Sequence, residues 1–244
     1  MAVMRIDSLE STNTYMRGHT AEFSHGDVLV VREQTAGRGQ RGNSWEAEPG
    51  RNLTFSMMLH PAAIRPADAF LLSMLTAMSI ADTLGELLDA EVCVKWPNDI
   101  YVGDRKMAGI LIENSFSGST YDHAVLGVGL NVNQTRFISD APNPVSMAQI
   151  AGREFDLDEV LLRVTGDVIR AVESFDPEND VAETVSRYNA RLWRGSGEHS
   201  WHDNITGEDI VAAIARVEPS GHIVLACDPP RRYAFKEVAA IILR

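Results

Sequence analysis

The sequence predicts an α+β fold: a mixed β-sheet with helices packed on it, followed by a small β-barrel from about residue 195. Three observations carry this. Short β-branched segments are interspersed with helical patterns through residues 1–194. One long run, "ADAFLLSMLTAMSIADTLGELLDA" over 67–90, places its apolar side chains at helical spacing. After Trp193 the helical pattern stops, and the tail carries only short strand-like segments. No internal repeat or low-complexity segment interrupts the chain.

The elements follow in order. Residues 6–17 open with "DSLESTNTYM", where Ser11 or Thr12 caps a short helix. "DVLVVREQ" (27–34) is β-branched and bounded by Gly26, hence a strand, and "NLTFSMML" (52–59) is a second. The stretch between them, 34–51, is too long for a tight turn; such loops in compact domains are usually functional or disordered. The 67–90 run has apolar residues at 70, 71, 74, 75, 78, 81, 84, 87 and 88, a broad face that makes it a core helix with Met74 and Met78 as packing. "EVCVKW" (91–96) is a strand broken by Pro97, and "IYVGDRKMAGILIE" is a hairpin turning near Gly103 and Asp104. "YDHAVLGVGLNVN" (121–133) is a further strand, and helices follow at about 157–175 and 178–193. The polar "RGSGEHSWHDN" then leads into strands "DIVAAIARVE", "HIVLACD" and "YAFKEVAAIIL". The expected division is therefore 1–194 and 195–244.

Composition narrows the function classes. No apolar run approaches the roughly 20 residues that cross a bilayer, and "MAVMRIDSLESTNTYMR" lacks the apolar core of a signal peptide. Cys93 and Cys227 could form one bridge, but their apolar settings favour reduced, packed thiols. The expectation is a cytoplasmic protein with no membrane partner. A formal net charge of −12 and the lack of any basic block argue against a nucleic-acid groove. Of the 22 basic residues only Lys95, Lys106 and Lys236 are lysine. A codon bias that replaces surface lysine with arginine is one explanation; the other is a need for a compact ammonium at the lysines kept against it, Lys106 and then Lys95.

Two stretches could carry chemistry. "QTAGRGQRGNSW" (34–45) combines Gly37, Gly39 and Gly42 with Arg38 and Arg41. Glycines let backbone N–H groups converge on an anion, and guanidinium forks match carboxylate and phosphate oxygens. A solvated loop or an RNA-touching segment is the bland alternative, against which Trp45 offers an aromatic cover for a planar ligand. No P-loop spacing occurs, and "GVGLNV" (127–132) has Val132 where a dinucleotide fingerprint needs its third glycine. In "VKWPNDIYVGDRKMAGILIE" (94–113), Lys95 and Lys106 flank Asn98 and Asp99. An amide and a carboxylate beside lysine can coordinate Mg²⁺, position a phosphate or accept a proton, and can equally be ordinary turn residues. No His/Cys cluster has metal-ligand spacing, and no G-x-S-x-G elbow is present.

"STN" (11–13), "QTAGRGQRGNSW", "VKWPNDIYVGDRKMAGIL" (94–111) and "GVGLNVN" (127–133), in this order and spacing, resemble biotin protein ligase, also called biotin–[acetyl-CoA-carboxylase] ligase. The resemblance implies a fold like that of class II aminoacyl-tRNA synthetases, shared by biotin and lipoate ligases, with a C-terminal SH3-like barrel. It also implies the short form, because no helix-turn-helix domain precedes residue 6. The implied reaction activates biotin with ATP and Mg²⁺ to biotinyl-5′-AMP, then passes the biotinyl group to a lysine of a biotin carboxyl carrier domain. The partners are thus biotin, ATP and the carrier, with room for a homodimer. A lipoate or octanoate ligase or transferase of the same superfamily is the alternative, less suited to the polar "STN" and Gln34.

The resemblance also assigns roles. Ser11, Thr12, Asn13 and Gln34 are expected to bond the biotin ureido ring, where buried donors and acceptors must be matched. Gly37, Arg38, Gly39 and Gln40 belong to the loop over biotin and the adenylate. Gly109 lets the backbone approach biotin, and Lys106 holds the biotin carboxylate and the charge developing at the α-phosphate. Arg41, Trp45, Lys95, Asn98 and Asn131 fall to the ATP or adenylate side, with Mg²⁺ carried by ATP. Lys106, Arg38 and Asp99 are the catalytic candidates, Asp99 as base for the incoming lysine. Gln40 stands where the family often has arginine, and Asn43 and Ser44 replace further basic positions, so no arginine role is carried to 40 or 43.

Overall fold

The computed structural model describes residues 1–244 apart from 38, 40–44, 139–142 and 243–244. Seven strands form the central sheet: β1 (Val3–Leu9), β2 (Val28–Gln34), β3 (Leu53–Leu59), β4 (Cys93–Lys95), β5 (Asp99–Val102), β6 (Arg105–Ser117) and β7 (Thr120–Leu130). Their order is β1-β2-β3-β7-β6-β5-β4. β1 pairs parallel to β2 and every other pairing is antiparallel, so the sheet is mixed as expected.

Side chains alternate between the faces of a strand, and the two faces do different work. One face carries Val28, Val30, Phe55, Met57, Leu126 and Val128, all buried in the main core. Over it lies α2 (Phe70–Leu88), packed in turn by α4 (Leu157–Glu173) and α5 (Val181–Ala190). By length and composition α2 could span a bilayer, which the sequence reading did not recognise; with 72% of that window buried here, it is the core helix its periodicity predicts. Asp89, in the left-handed region, ends it.

The other face is covered only in part. There α1 (Thr12–Gly18) drops Met16 onto Leu29, Met58 and Val125. Ser11 caps this helix by accepting from the Thr14 N–H, as expected. In the body the sequence reading missed strand β1 itself and α3 (Met147–Ala151), opened by a capping box between Ser146 and Gln149.

Asp156 caps α4, its Oδ1 accepting from Asp158 N at 2.8 Å and Glu159 N at 3.0 Å. Asp156→Ala is expected to cost about 1 kcal/mol in a urea unfolding curve, the usual worth of such a cap.

The C-terminal strands form two three-stranded sheets. β13 (Val238–Ala240), β8 (His199–Asp203) and β9 (Asp209–Ala212) make one; β10 (Ile214–Val217), β11 (Ile223–Leu225) and β12 (Arg231–Tyr233) make the other. "DIVAAIARVE" and "YAFKEVAAIIL", each expected as one strand, are each two: the first breaks at Ala213 into β9 and β10, which join different sheets, and the second is split by a turn in which Glu237 N donates to Ala234 O. β8 occupies the stretch read as polar linker; its Trp201 is buried and donates from Nε1 to Ala212 O at 2.9 Å. These strands are sewn to the body. Trp96 Nε1 donates to Gly221 O at 3.0 Å, and Asn189 bonds both N–H and C=O of Val217. Cys93 and Cys227 are both free and half-buried.

Candidate functional site

Register builds the site. Lys95 pairs with Asp99, Asp99 with Gly109, Gly109 with Gly129 and Gly129 with Thr54, so one row crosses five strands on the α1 face. The next row runs Leu111, Gly127, Ser56. Three of these positions are glycine, which leaves backbone alone where side chains would stand. A Cβ on Gly127 would sit 2.2 Å from Asn13 Oδ1, and one on Gly129 would sit 2.3 Å from Trp45 Cε2. On Gly109 it would meet Trp45 at 3.3 Å and Lys106 Nζ at 3.4 Å. The segment rejected as a dinucleotide fingerprint is therefore the bare floor of a site.

Above this floor opens a cavity of about 410 Å³. Of the residues expected in the site, Ser11, Thr12, Asn13, Gln34, Gly39, Trp45, Lys95, Asn98, Asp99, Lys106 and Gly109 line it. Arg38, Gln40 and Arg41 lie outside the described residues. Gly37 is not in the lining; it sits at the base of the loop, where its carbonyl accepts from Trp45 N at 3.1 Å. Asn131 is also absent from the lining. It is buried, donates from Nδ2 to Val145 O at 3.2 Å, and leaves Oδ1 without a partner among the described residues.

The polar end of the cavity is a closed network. Thr12 N donates to Gln34 Oε1 at 2.9 Å, and Ser56 Oγ lies 2.5 Å from Asn13 Oδ1 and 2.8 Å from Thr12 Oγ1. Asn13 Nδ2 donates to Glu113 Oε2 at 3.0 Å and Leu111 O at 3.3 Å, and Glu113 is held by Arg17 at 2.6 Å. Such a network fixes rotamers before a ligand arrives. Ser56 was missed because no motif flags its strand; Glu113 closes the 94–113 stretch in the same strand as Lys106 and Gly109, but nothing in the spacing tied it to Asn13.

The other end is cationic. Lys106 Nζ lies 2.7 Å from Asp99 Oδ1 and 5.8 Å from the Trp45 ring. Trp45 Nε1 is buried without a hydrogen-bond partner among the described residues. Asn98 is tied to β6: its side-chain Nδ2 donates to Ile110 O and its main-chain carbonyl accepts from Ile110 N.

Lys95 faces the rings of Tyr101 at 5.5 Å and Trp193 at 6.0 Å, with no ion pair among the described residues. Burial lowers its pKa; the Asp99 charge opposes this, and Lys106 and Arg194 reinforce it. A charged amine that is costly to bury weakens the fold below its folded-state pKa. That cost fades as pH rises through this pKa towards the ordinary lysine value of about 10.4. Lys95→Met is thus expected to stabilise the fold at pH 7 by on the order of 1 kcal/mol, net of lost cation–π contact. The gain should shrink on going towards pH 10, as thermal unfolding at several pH values would reveal.

The C-terminal strands complete the wall. Trp201, Asn204, Ile214, Phe235, Lys236 and Val238 line the same cavity as the sheet floor. None of them was named for the site from sequence.

Known proteins resemble this chain in sequence and in fold. Residues 6–131 match the model of the biotin/lipoate A/B protein ligase family. The bifunctional ligase/repressor BirA of Escherichia coli is 36% identical over 183 residues, 74% of this chain and 56% of that protein. The chain thus spans little more than half the length of that relative. The biotin–[acetyl-CoA-carboxylase] ligase of Mycobacterium tuberculosis is 28% identical over 221 residues, 88% of this chain and 79% of the relative. The structure of biotin protein ligase from Aquifex aeolicus in complex with biotin and ATP superposes with a TM-score of 0.82 over 98% of both chains, at 22% identity. The fold is therefore that of the biotin ligases, and the chain belongs to the biotin/lipoate A/B protein ligase family.

Proposed function

We propose that this chain is a biotin protein ligase, which activates biotin with MgATP to biotinyl-5′-AMP and transfers the biotinyl group to a lysine of a biotin carboxyl carrier protein. The observation that carries the reading is the two-ended cavity: a pre-bonded polar network at 11–13, 34 and 56, and a lysine–aspartate pair at 106 and 99, across one glycine floor. In the A. aeolicus structure biotin and ATP are bound together. A cavity of about 410 Å³ is within the range that holds a small molecule.

Biotin's ureido ring lies against Ser11, Thr12, Asn13 and Gln34. Gln34 uses its Oε1 on Thr12, which leaves its NH₂ to donate to the ligand. The biotin carboxylate then points towards Lys106. A carboxylate oxygen attacks the α-phosphorus and pyrophosphate leaves; the Lys106 ammonium offsets the charge gathering on the α-phosphate oxygens. Engaging phosphate draws Lys106 from Asp99, which frees that carboxylate to accept the proton of the carrier lysine. The amine attacks the acyl carbon, an amide forms and AMP departs. Arg38, Gly39, Gln40 and Arg41 cover the adenylate, Trp45 and Lys95 serve the nucleotide, and Asn98 and Asn131 support that side. Mg²⁺ would be carried by the phosphates of ATP, where it would supply charge neutralisation. Residues 1–194 are the catalytic unit, 195–244 an SH3-like domain, and the setting is cytoplasmic.

The test is isotope exchange. With ATP and labelled pyrophosphate, label should enter ATP when biotin is added and not when lipoate is added. Exchange with lipoate alone would overturn the reading.

A further inference from the structure

Asn13 is tied from behind by a carboxylate that does not itself face the cavity. Among the described residues the lining includes Asn13 and Leu111 but neither Glu113 nor Arg17. Glu113, on β6, divides its two oxygens between residues about one helical turn apart on α1. Oε2 accepts from Asn13 Nδ2 at 3.0 Å, and Oε1 meets Arg17 Nη1 at 2.6 Å. Side chains at i and i+4 share a helix face, so both reach the same carboxylate.

This tie decides which end of the Asn13 amide faces the cavity. The two ends of an amide have nearly the same shape, and their partners settle the orientation. The partners on the β6 side are both acceptors, the Glu113 carboxylate and Leu111 O at 3.3 Å. The carboxylate is the nearer and carries the charge, so it holds the NH₂ more strongly. Both amide protons are thereby used, and Oδ1 lies over the bare floor at Gly127. Ser56 has a single hydroxyl proton and, 2.5 Å from this oxygen, donates it there. Thr12 Oγ1, 2.8 Å from Ser56 Oγ, is then a donor, to Ser56 or to Gln34 Oε1 at 3.3 Å. Gln34 Oε1 also accepts from Thr12 N, which leaves the Gln34 NH₂ for the ligand. One carboxylate outside the cavity thus orders the protons along the whole polar end. A ligand finds an acceptor at Asn13 and a donor at Gln34.

We propose that Glu113, paired with Arg17, is a positioning residue for ring selectivity: by fixing Asn13 as an acceptor, it makes the site demand an N–H from the ligand's polar ring. This rests on the ligase reading, in which that ring is the ureido ring of biotin. A cyclic urea carries N–H beside C=O and satisfies both Asn13 and Gln34. A dithiolane ring offers neither. A ring with an acceptor in place of the N–H sets lone pair against lone pair and leaves a buried group unpaired.

The decisive variant is Glu113→Gln, which keeps the size of the side chain but lets residue 113 donate, so the Asn13 amide is free to turn over. KM for biotin in pyrophosphate exchange should rise about tenfold, as for loss of a hydrogen bond to a charged group, while kcat and KM for ATP stay within about twofold. Titration without ATP reads the ring directly, using biotin and the two cyclic carbamates in which oxygen replaces one ureido N–H. The unaltered protein should prefer biotin to one of these by about a hundredfold, and Glu113→Gln should cut that ratio about tenfold. A merely structural role would weaken all three ligands equally; an unchanged ratio would overturn the proposal. In the ligand-free protein, the Asn13 side-chain NH₂ protons should shift upfield in a nitrogen-resolved NMR spectrum when Glu113 becomes Gln. An unmoved signal would equally overturn it. If biotin did not bind the unaltered protein, the ligase reading would fail, and the amide spectrum would still decide whether Glu113 orients Asn13.

Discussion

Replacing Lys106 by alanine lowers biotin-dependent pyrophosphate exchange by about 10²- to 10³-fold, the loss expected when a donor aimed at developing oxyanion charge is removed. The structure argues for so large an effect on chemistry and a small one on folding. Lys106 Nζ is 2.7 Å from Asp99, but both side chains are partly exposed, at 24% and 20%, so water can take over the abandoned carboxylate. Melting temperature should therefore change little while kcat collapses. Lys106→Arg should not rescue. The ammonium lies 3.4 Å from where even a methyl group on Gly109 would stand, which leaves little room for a planar fork. Near-normal exchange by the alanine variant would remove Lys106 from the reaction.

The second large effect is expected at Gly127. An alanine methyl there would sit 2.2 Å from Asn13 Oδ1, in a central strand flanked by β3 and β6. Asn13 cannot step aside without breaking its bonds to Ser56, Leu111 and Glu113. Overpacking of this kind costs about 1–3 kcal/mol, and the displaced amide should abolish measurable biotin binding in a titration. A paired variant separates the two losses. Gly127→Ala with Asn13→Ala removes the collision, so its unfolding midpoint should recover relative to Gly127→Ala alone, while biotin binding should not return. Failure of stability to recover would mean that Asn13 is not what the methyl strikes.

The long apolar pattern of α2, the β-branched runs of β2 and β3 and the hairpin of β5 and β6 were legible because one face of each meets a core. β1 was not: it is an edge strand of pattern VMRIDSL whose residues are mostly exposed, and its parallel pairing to β2 leaves no local signal. α3 carried a readable signal, serine three residues before glutamine, but five residues give no periodicity to support it. The tail was misjudged at "YAFKEVAAIIL", where the left-handed turn at Lys236 splits one apparent strand into two.

The site was legible where residues lie close in sequence. "STN" and "KWPND" could be named from motif alone, whereas Gly127 and Gly129 acquire meaning only once register sets them beside Thr54, Ser56 and Gly109. Lys236 was singled out by scarcity alone, since no spacing rule connects it with Lys106.

A recognition surface made of main chain has a consequence for how the protein can change. Atoms shared by all twenty amino acids cannot be retuned by exchanging one for another; at Gly109, Gly127 and Gly129 any replacement only takes space away. If the proposed acyl ligand rests on this floor, altered selectivity for its chain has to arise at the flanks, through Thr54 or Leu111, because Ser56 is tied to Thr12 and Asn13.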